Sequence, residues 1–331
     1  MRTYWQNKRV LVTGAGGFIG SHLVERLVAE GAVVRAFVHY NSRGDPGILR
    51  LVAPPILTQV EIIAGDLRDA HAVQKVVEGC QCVFHLGALI SIPYSYFHPA
   101  EVAETNCIGT LNVLMACRER RVERLIHTST SEVYGTARRV PINESHPLQG
   151  QSPYSASKIG ADKLVESFHC AYGLPVVIIR PFNTYGPRQS ARAVIPTIIT
   201  QALAQGSIHL GNLETRRDFT YVADTVDGFL KAAEVANVEG KTFNLGTGQE
   251  IKIGDLARQI MQKIGRPAEV VVDSVRLRPQ DSEVFRLLSD NALARENLGW
   301  RPETTLGQGL DSTIAWIRSH LDLYRVGVYE F

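Results

Sequence analysis

The sequence predicts an α/β protein in which a doubly wound parallel sheet carries a smaller, mixed α/β lobe. Three observations predict this fold class. Short apolar runs alternate with helical patterns through the first 180 residues, the runs are apolar throughout, and the segments become shorter after residue 181. Strands that are separated by helices form parallel sheets covered on both faces, and such buried strands are continuously apolar.

The predicted elements follow one another in βαβ order. The first strand, residues 9–13, precedes a helix in which Ile19, Leu23 and Leu27 lie four apart on one face, and Gly31 follows that helix as its stop signal. Further strands are predicted at residues 32–39, 60–64, 82–86, 125–129 and 176–179, and helices at residues 69–78, 99–118, 154–172, 224–236, 253–264 and 306–320. We expect a ligand cleft beyond the carboxyl ends of the strands.

The composition limits the classes of protein to which the chain can belong. Its 331 residues allow two domains, which we place at residues 1–180 and 181–331, with segments of the second interleaved with the first. Hydrophobic residues at 45% and charged residues at 21% exclude a disordered or low-complexity protein. A net charge of +2 provides no attraction to nucleic acid or to an anionic membrane, so we expect neither as a partner.

The lack of a recognisable targeting signal and the spacing of the cysteines indicate a cytoplasmic protein. No apolar run approaches the roughly 20 residues of a membrane-spanning helix. The polar stretch at residues 1–9 lacks the apolar region of a signal peptide. The five cysteines, at positions 80, 82, 107, 117 and 170, fit neither a disulfide framework nor a zinc site. We therefore expect reduced thiols and no bound metal.

A glycine-rich turn joins the first strand to the first helix. Gly14, Gly17 and Gly20 have the spacing GxxGxxG, in which glycine permits a tight turn and close approach of the backbone to a pyrophosphate. The free N–H groups at the start of the helix, in the stretch that contains Phe18 and Ile19, suit the same anion. A glycine triplet in this context predicts a dinucleotide site and a Rossmann-type sheet.

Other candidate cofactor contacts lie after the later strands. Asp66 can accept a hydrogen bond from an adenine amino group, whereas Asp69 is as easily a helix cap. The stretch after the second strand contains Asn41 and Arg43 but lacks the carboxylate that usually binds the ribose 2′-hydroxyl, so NAD and NADP both remain open. The remaining candidates, all near the carboxyl ends of strands, are Leu67, Leu86, Ala88, Thr128 and Pro181.

Tyr154 and Lys158 form a YxxxK pair at the start of a predicted helix. A spacing of four places both side chains on one face, where the ammonium is expected to lower the pKa of the phenol. Such a tyrosine can act as a general acid or base toward a sugar hydroxyl, and the Thr130 hydroxyl can bind the same oxygen. The alternative for the pair is an ordinary surface contact.

Together these motifs resemble the extended short-chain dehydrogenases/reductases that act on nucleotide sugars. The resemblance covers residues 13–20, 66, 128–135, 154–158, 180–187, 217–224 and 244–246. It implies that Thr130, Tyr154 and Lys158 form the machinery that oxidises the sugar. By the same resemblance, Tyr154 and Lys158 also contact NAD or NADP, and Thr130 contacts the substrate. It also implies that the nucleotide-sugar substrate is bound by Ser131, Asn183, Arg188, Arg217 and Arg278, since guanidinium groups suit a diphosphate. A surface salt bridge is the alternative for each arginine.

The triplet Thr130-Ser131-Glu132 resembles that of nucleotide-sugar 4,6-dehydratases, in particular the GDP-mannose 4,6-dehydratase version. Oxidation at C4 acidifies the C5 hydrogen, Glu132 removes that proton, and water leaves from C6. On an extended segment, residues two apart point to one face, so Thr130 and Glu132 are expected to reach one sugar ring. With serine at position 131, Glu132 would perform both proton transfers; its alternative role is that of a buried ion-pair partner.

The subclass remains open at this stage. UDP-glucuronate decarboxylases also carry Thr-Ser-Glu, and 4-epimerases share the oxidation machinery; a nonenzymatic cofactor-binding protein would not need Thr130, Tyr154 and Lys158 together. The wider pattern looks most like the nucleotide-hexosamine 4,6-dehydratases of bacterial legionaminic-type pathways, which implies a GDP- or UDP-linked N-acetylglucosamine as substrate. The resemblance also implies a homodimer.

Overall fold

The computed structural model describes residues 4–329; residues 1–3 of the polar N-terminal stretch lie outside this range. The strands are β1 (Arg9–Thr13), β2 (Val33–His39), β3 (Glu61–Gly65), β4 (Cys82–His85), β5 (Arg124–Thr128), β6 (Val176–Pro181), β7 (Thr184–Tyr185), β8 (Ser207–Leu210), β9 (Arg216–Arg217), β10 (Thr220–Tyr221), β11 (Thr242–Leu245), β12 (Ile251–Lys252), β13 (Glu269–Val272) and β14 (Arg286–Leu287).

Twelve α-helices lie within the described residues. They are α1 (Phe18–Ala29), α2 (Pro54–Leu57), α3 (Ala70–Val77), α4 (Ile92–Phe97), α5 (Pro99–Ala103), α6 (Gly109–Glu119), α7 (Pro153–Tyr172), α8 (Val194–Ala204), α9 (Val222–Glu234), α10 (Ile253–Ile264), α11 (Ala292–Leu298) and α12 (Leu306–Ser319). A π-helical turn, Glu104–Ile108, joins α5 to α6 where the sequence predicts one continuous helix. Across residues 4–329, no helix has both the length and the apolar character needed to cross a membrane.

Seven parallel strands form the central sheet in the order β11-β6-β5-β4-β1-β2-β3. This order confirms the predicted doubly wound α/β fold. Side chains alternate between the faces: Val10 and Val12 of β1 pack with α1 and α9, whereas Leu11 packs with the layer built from α3, α6 and α7. Burial of both faces explains why the strands are continuously apolar.

The second half of the chain contributes to this sheet as well as to the smaller lobe. Strand β11 pairs with β6, and helix α9 packs on the same face as α1. Trp300 is fully buried there, and its Nε1 donates to the Asp224 carbonyl at 2.8 Å. A separate core between α8, α10 and α12 forms the lobe, together with the parallel pair β8 and β13. The carboxyl edge of the sheet therefore faces the lobe across a cleft.

Candidate active site

The glycine-rich turn is closely packed against the loop that follows β4. Gly14 has φ +67°, and a Cβ there would lie 2.7 Å from the Gly87 nitrogen. A Cβ on Gly20 would overlap the Gly14 carbonyl and lie 2.9 Å from the Ala15 Cα, so the glycine lets α1 pack directly on the turn. These two positions require glycine for backbone packing, before any ligand is considered.

Helix α1 presents free donors at its N-terminus. Gly17 is the N-cap and supplies no side-chain cap, and the first helical hydrogen bond runs from the Ser21 N–H to the Gly17 carbonyl at 3.0 Å. The N–H groups of Phe18, Ile19 and Gly20 therefore have no acceptor within the helix. No acidic residue lies in the first turn, so this end of the helix keeps its positive potential. These features fit the pyrophosphate of a dinucleotide.

The loop after β2 is organised around Asn41. Its Oδ1 accepts from the N–H groups of Arg43 and Asp45, and its Nδ2 donates to the Asp45 carbonyl at 2.7 Å. Asp45, which the sequence analysis did not consider, binds the Gly47 N–H and the Arg50 guanidinium. The Asn41 side chain thus holds the loop that presents the exposed Arg43.

Asp66 is held as a carboxylate by its neighbour Arg68. It accepts from the Arg68 N–H at 2.8 Å and from Nη2 at 2.6 Å, and this hydrogen bonding lowers the pKa of Asp66. Asp69 caps α3 by accepting from the N–H groups of His71 and Ala72. The cap is therefore the role that the structure gives to Asp69. Leu67 is buried beside them.

Tyr154 and Lys158 lie on the first turns of α7, which begins with a capping box formed by Ser152 and Ser155. Lys158 is buried, its Nζ donates to the Thr128 carbonyl at 2.7 Å, and burial lowers its pKa to about 8. Burial also raises the pKa of Tyr154, against a hydrogen bond with Thr130 that lowers it. The predicted lowering of the Tyr154 pKa is wrong for this structure, because it weighed the ammonium and not the desolvation.

Glu132 reaches the cleft from a 3₁₀ turn, Ser131–Tyr134, for which Thr130 is the N-cap. The expectation of an extended segment here is wrong: the Thr130 Oγ1 accepts from the Glu132 N–H at 3.2 Å and starts the turn. Thr130 and Ser131, both predicted to contact the substrate, are buried, and neither lines the cleft between the sheet edge and the lobe. The Glu132 carboxylate lies 3.8 Å from the Arg278 guanidinium.

The cleft between the sheet edge and the lobe has a volume of about 340 Å³ and a basic wall. Glu132, Asn183, Arg217 and Arg278 all line it, and the structure therefore brings these predicted site residues together. Arg217 is buried, and this desolvation lowers its pKa; its Nη2 lies 3.7 Å from the Glu283 carboxylate. The sequence analysis missed other polar lining residues: Gln189, Arg192, Asn212, Thr215, Arg276, Glu283 and Tyr329.

Two details of the wall concern arginines. The Nη1 atom of Arg278 is buried and makes no hydrogen bond in the described structure, and it is the atom that lies 3.8 Å from the Glu132 carboxylate; because Arg278 lines the cleft, its guanidinium can still serve an anionic ligand there. Arg188, by contrast, does not line this cleft. It has φ +69°, and its guanidinium binds Glu25 and Ser21 on α1, away from the predicted substrate contacts.

Comparison with known proteins agrees with this geometry. The family model described as GDP-mannose 4,6 dehydratase matches residues 11–313. The chain belongs to the GDP-mannose 4,6-dehydratase family. This family membership confirms the resemblance to extended short-chain dehydrogenases/reductases and identifies the chain as an enzyme of nucleotide-sugar metabolism.

Relatives within the GDP-mannose 4,6-dehydratase family include both epimerases and dehydratases. The UDP-glucose 4-epimerase of Mycolicibacterium smegmatis is 34% identical over 317 residues, covering 94% of this chain and 99% of that protein. The dTDP-D-glucose 4,6-dehydratase of Mus musculus is 34% identical over 323 residues, covering 95% and 89%. The crystal structure of the dTDP-glucose 4,6-dehydratase DesIV from Streptomyces venezuelae, with NAD bound, has a TM-score of 0.85 at 30% identity and covers 96% and 99%.

Proposed function

We propose that the protein is a nucleotide-sugar 4,6-dehydratase that binds NAD or NADP and converts a GDP- or UDP-linked N-acetylglucosamine to the 4-keto-6-deoxy sugar. The observation that carries the proposal is the Glu132 carboxylate, which lines the same cleft as Asn183, Arg217 and Arg278. A carboxylate in this position supplies the base that elimination requires and that a simple C4 epimerisation does not.

The chain's own residues divide between holding a dinucleotide and handling protons. The turn with Gly14, Gly17 and Gly20 and the start of α1 would hold the pyrophosphate, and Asp66 the adenine. When bound, the nicotinamide supplies reversible hydride transfer. Tyr154, beside Lys158, would take the proton of the sugar O4 while the C4 hydrogen leaves as hydride.

The elimination would follow at the neighbouring carbon. Glu132 takes the C5 proton, the C6–O bond breaks, and the same carboxyl returns that proton to the leaving hydroxyl, which departs as water. Return of the C4 hydride to C6, and addition to C5 of a proton equivalent to the one that Tyr154 took from O4, would complete the 4-keto-6-deoxy product. The sugar thereby loses one water, and the cofactor is regenerated in each turnover, so no external oxidant or reductant is consumed.

The base needs to be ionised before it can accept a proton. The Arg278 guanidinium lies 3.8 Å from the Glu132 carboxylate, and the buried Arg217 lines the same cleft. The same arginines face the region in which a diphosphate would bind, so substrate binding would draw the guanidinium groups toward the phosphates and free Glu132 for proton transfer.

Product mass after incubation with a panel of nucleotide sugars tests the proposal. A dehydratase gives a product one water lighter than GDP- or UDP-N-acetylglucosamine. The second candidate, a 4-epimerase, leaves the mass unchanged, and it is favoured by the 34% identity to the M. smegmatis enzyme. Decarboxylation of UDP-glucuronate would appear as loss of carbon dioxide. Either of these last two outcomes, without dehydration of any substrate, contradicts the proposal.

Glu132→Gln distinguishes the base from the rest of the site. We expect the variant to bind cofactor and to reduce it transiently with substrate, while the rate of water elimination falls by about 100-fold or more. Glu283→Gln is the matched control, because Glu283 is a second carboxylate in the same cleft that also lies near an arginine. Normal dehydration by Glu132→Gln would show that Glu132 is not the base.

We further propose a cytoplasmic homodimer. All five cysteines are free, as expected in a reducing compartment. Exposed apolar side chains lie on and beside α6 and α7, among them Ile108, Met115 and Tyr172. An isologous contact between these helices would cover them. Light scattering of the purified protein tests the dimer, and a monomeric mass would contradict it.

A further inference from the structure

Helix α7 carries a third buried polar side chain, four residues after Lys158. Asp162 has no exposed surface, and its spacing places it on the helix face of Tyr154 and Lys158. Its Oδ2 accepts from the Ser129 hydroxyl at 2.8 Å and from the Arg180 guanidinium at 2.9 and 3.2 Å. Asp162 therefore connects α7 to the ends of β5 and β6.

Arg180 extends this network to the turn that carries Glu132. Its Nη1 donates to the Tyr134 hydroxyl at 3.0 Å, and that hydroxyl donates to the Asn244 Oδ1 on β11 at 2.7 Å. Tyr134 is the last residue of the 3₁₀ turn and is fully buried. Hydrogen bonds among buried groups reinforce one another, so the network restrains the elements that it joins.

The network contacts the chain on both sides of the catalytic candidates. The His127 ring lies 3.4 Å from the Asp162 Oδ1, and Ser129 binds the Oδ2. Between these two residues lies the Thr128 carbonyl, which is the acceptor of the Lys158 ammonium. Displacement of Asp162 would therefore move the Lys158 acceptor, and with it Thr130, relative to α7.

We propose that Asp162 and Arg180 are a positioning pair, which holds residues 127–134 against α7 and so sets Thr130 and Glu132 relative to Tyr154 and Lys158. The proposal rests on the proposed function only through the C4 oxidation step, which dehydratases and epimerases share. A buried ion pair is not by itself evidence of added stability, because such pairs are often replaceable by apolar residues without loss of stability.

The pair also affects the charge of Lys158. Asp162 favours the ammonium and opposes the burial that lowers the Lys158 pKa to about 8. Arg180 offsets part of that negative charge and prevents Asp162 from being an unpaired buried anion. The titratable and charged groups around Lys158 are His85 on β4, Cys107 in the π-helical turn, His127 on β5, Arg180 on β6, and Tyr154 and Asp162 on α7.

The test compares Asp162→Asn with Glu239→Gln. The partly exposed Glu239 pairs with the buried Arg124 at the opposite end of β5, so the control removes an ion pair far from the site. The first readout is hydrogen exchange of residues 127–135 in the purified protein without substrate. We expect exchange there to accelerate by about tenfold in Asp162→Asn, with no such change in Glu239→Gln.

The second readout is the rate at which UDP-N-acetylglucosamine reduces the bound nicotinamide, measured across pH. Without the Asp162 charge, Lys158 loses its proton at lower pH. We therefore expect a loss of about tenfold at pH 8.5 and less than about twofold at pH 6.5. A purely structural lesion would lower the rate equally at both pH values. The KM for the nucleotide sugar should stay within about twofold, because Asp162 does not line the cleft.

Unchanged exchange at residues 127–135, or a pH profile like that of the wild type, would overturn the proposal. If Asp162→Asn does not fold, Ser129→Ala serves in its place, because it removes one hydrogen bond to the Asp162 carboxylate. This variant should accelerate exchange of residues 127–135 by a smaller factor, and unchanged exchange would overturn the proposal. The exchange measurement needs no substrate. Nicotinamide reduction by the wild type without a dehydrated product would contradict the dehydratase proposal and leave the pair to be judged by the exchange result.

Discussion

Gly14→Ala is expected to lower the free energy of unfolding for two reasons, one of backbone conformation and one of steric overlap. The first cost is the left-handed backbone at φ +67°, about 1–2 kcal/mol for a residue with a Cβ. The second is steric, because the new Cβ would lie 2.7 Å from the Gly87 nitrogen and 2.8 Å from its Cα, and backbone atoms cannot rotate away. Overpacking of this kind costs about 1–3 kcal/mol. We expect Gly14→Ala to lower the free energy of unfolding by about 2–5 kcal/mol in total.

Gly173→Ala is the matched control for Gly14→Ala. Gly173 follows α7 at φ +65°, and nothing lies within 4 Å of the position of its Cβ, so this variant carries the backbone cost alone. Urea unfolding measures both free energies, and fluorescence titration measures the affinity for NAD and NADP. We expect only Gly14→Ala to weaken cofactor binding, by about tenfold or more. Equal destabilisation of the two variants, with unchanged cofactor affinity, would refute the reasoning about the turn.

Two further predictions concern buried charge. Burial lowers the pKa of His127 to about 4, below the ordinary value of 6.5, so the unfolded chain binds a proton that the folded chain does not. The contribution of His127 to the free energy of unfolding should therefore be greatest above pH 6.5 and fall toward pH 4, with a loss of about 2 kcal/mol at pH 5. Urea unfolding at pH 7 and pH 5 measures this difference, and equal midpoints at the two pH values would contradict it. Arg278→Met should raise the KM for the nucleotide sugar by about tenfold or more and leave cofactor affinity unchanged, because it removes a guanidinium that lines the cleft and has a buried donor without a hydrogen bond. Arg286→Met is its control, since Arg286 pairs with Glu250 and does not line the cleft; similar KM values for the two variants would exclude a phosphate contact by Arg278.

Much of the fold could be predicted because its signals are local. The first strand has the predicted bounds, and α10 begins and ends at the predicted residues, since apolar periodicity and flanking glycines act within a few residues. The 3₁₀ turn at residues 131–134 could not be predicted in this way. It is set by one hydrogen bond from the Glu132 N–H to Thr130 and by the anchoring of Tyr134 to Arg180, a residue 46 positions away.

Candidate site residues could be predicted where a residue type carries its own chemistry, and were missed where the surrounding structure decides. Tyr154, Lys158 and Glu132 could be singled out because phenol, amine and carboxylate groups recur at these spacings. Asp162 resembles a helix-surface residue in the sequence, and only the packed β5 and β6 make it buried. From the sequence, Arg188 is expected to bind the substrate phosphates. In the structure its backbone is left-handed, and its guanidinium binds Glu25 instead.

The position of β11 has a consequence for any attempt to divide the protein. A fragment ending at residue 180 would leave one side of β6 without its hydrogen-bonding neighbour and would uncover the apolar surface that α9 and Trp300 occupy. An open apolar strand edge recruits other chains. We expect such a fragment to aggregate when expressed alone. For the same reason, the central sheet is incomplete during synthesis until residue 245 has left the ribosome.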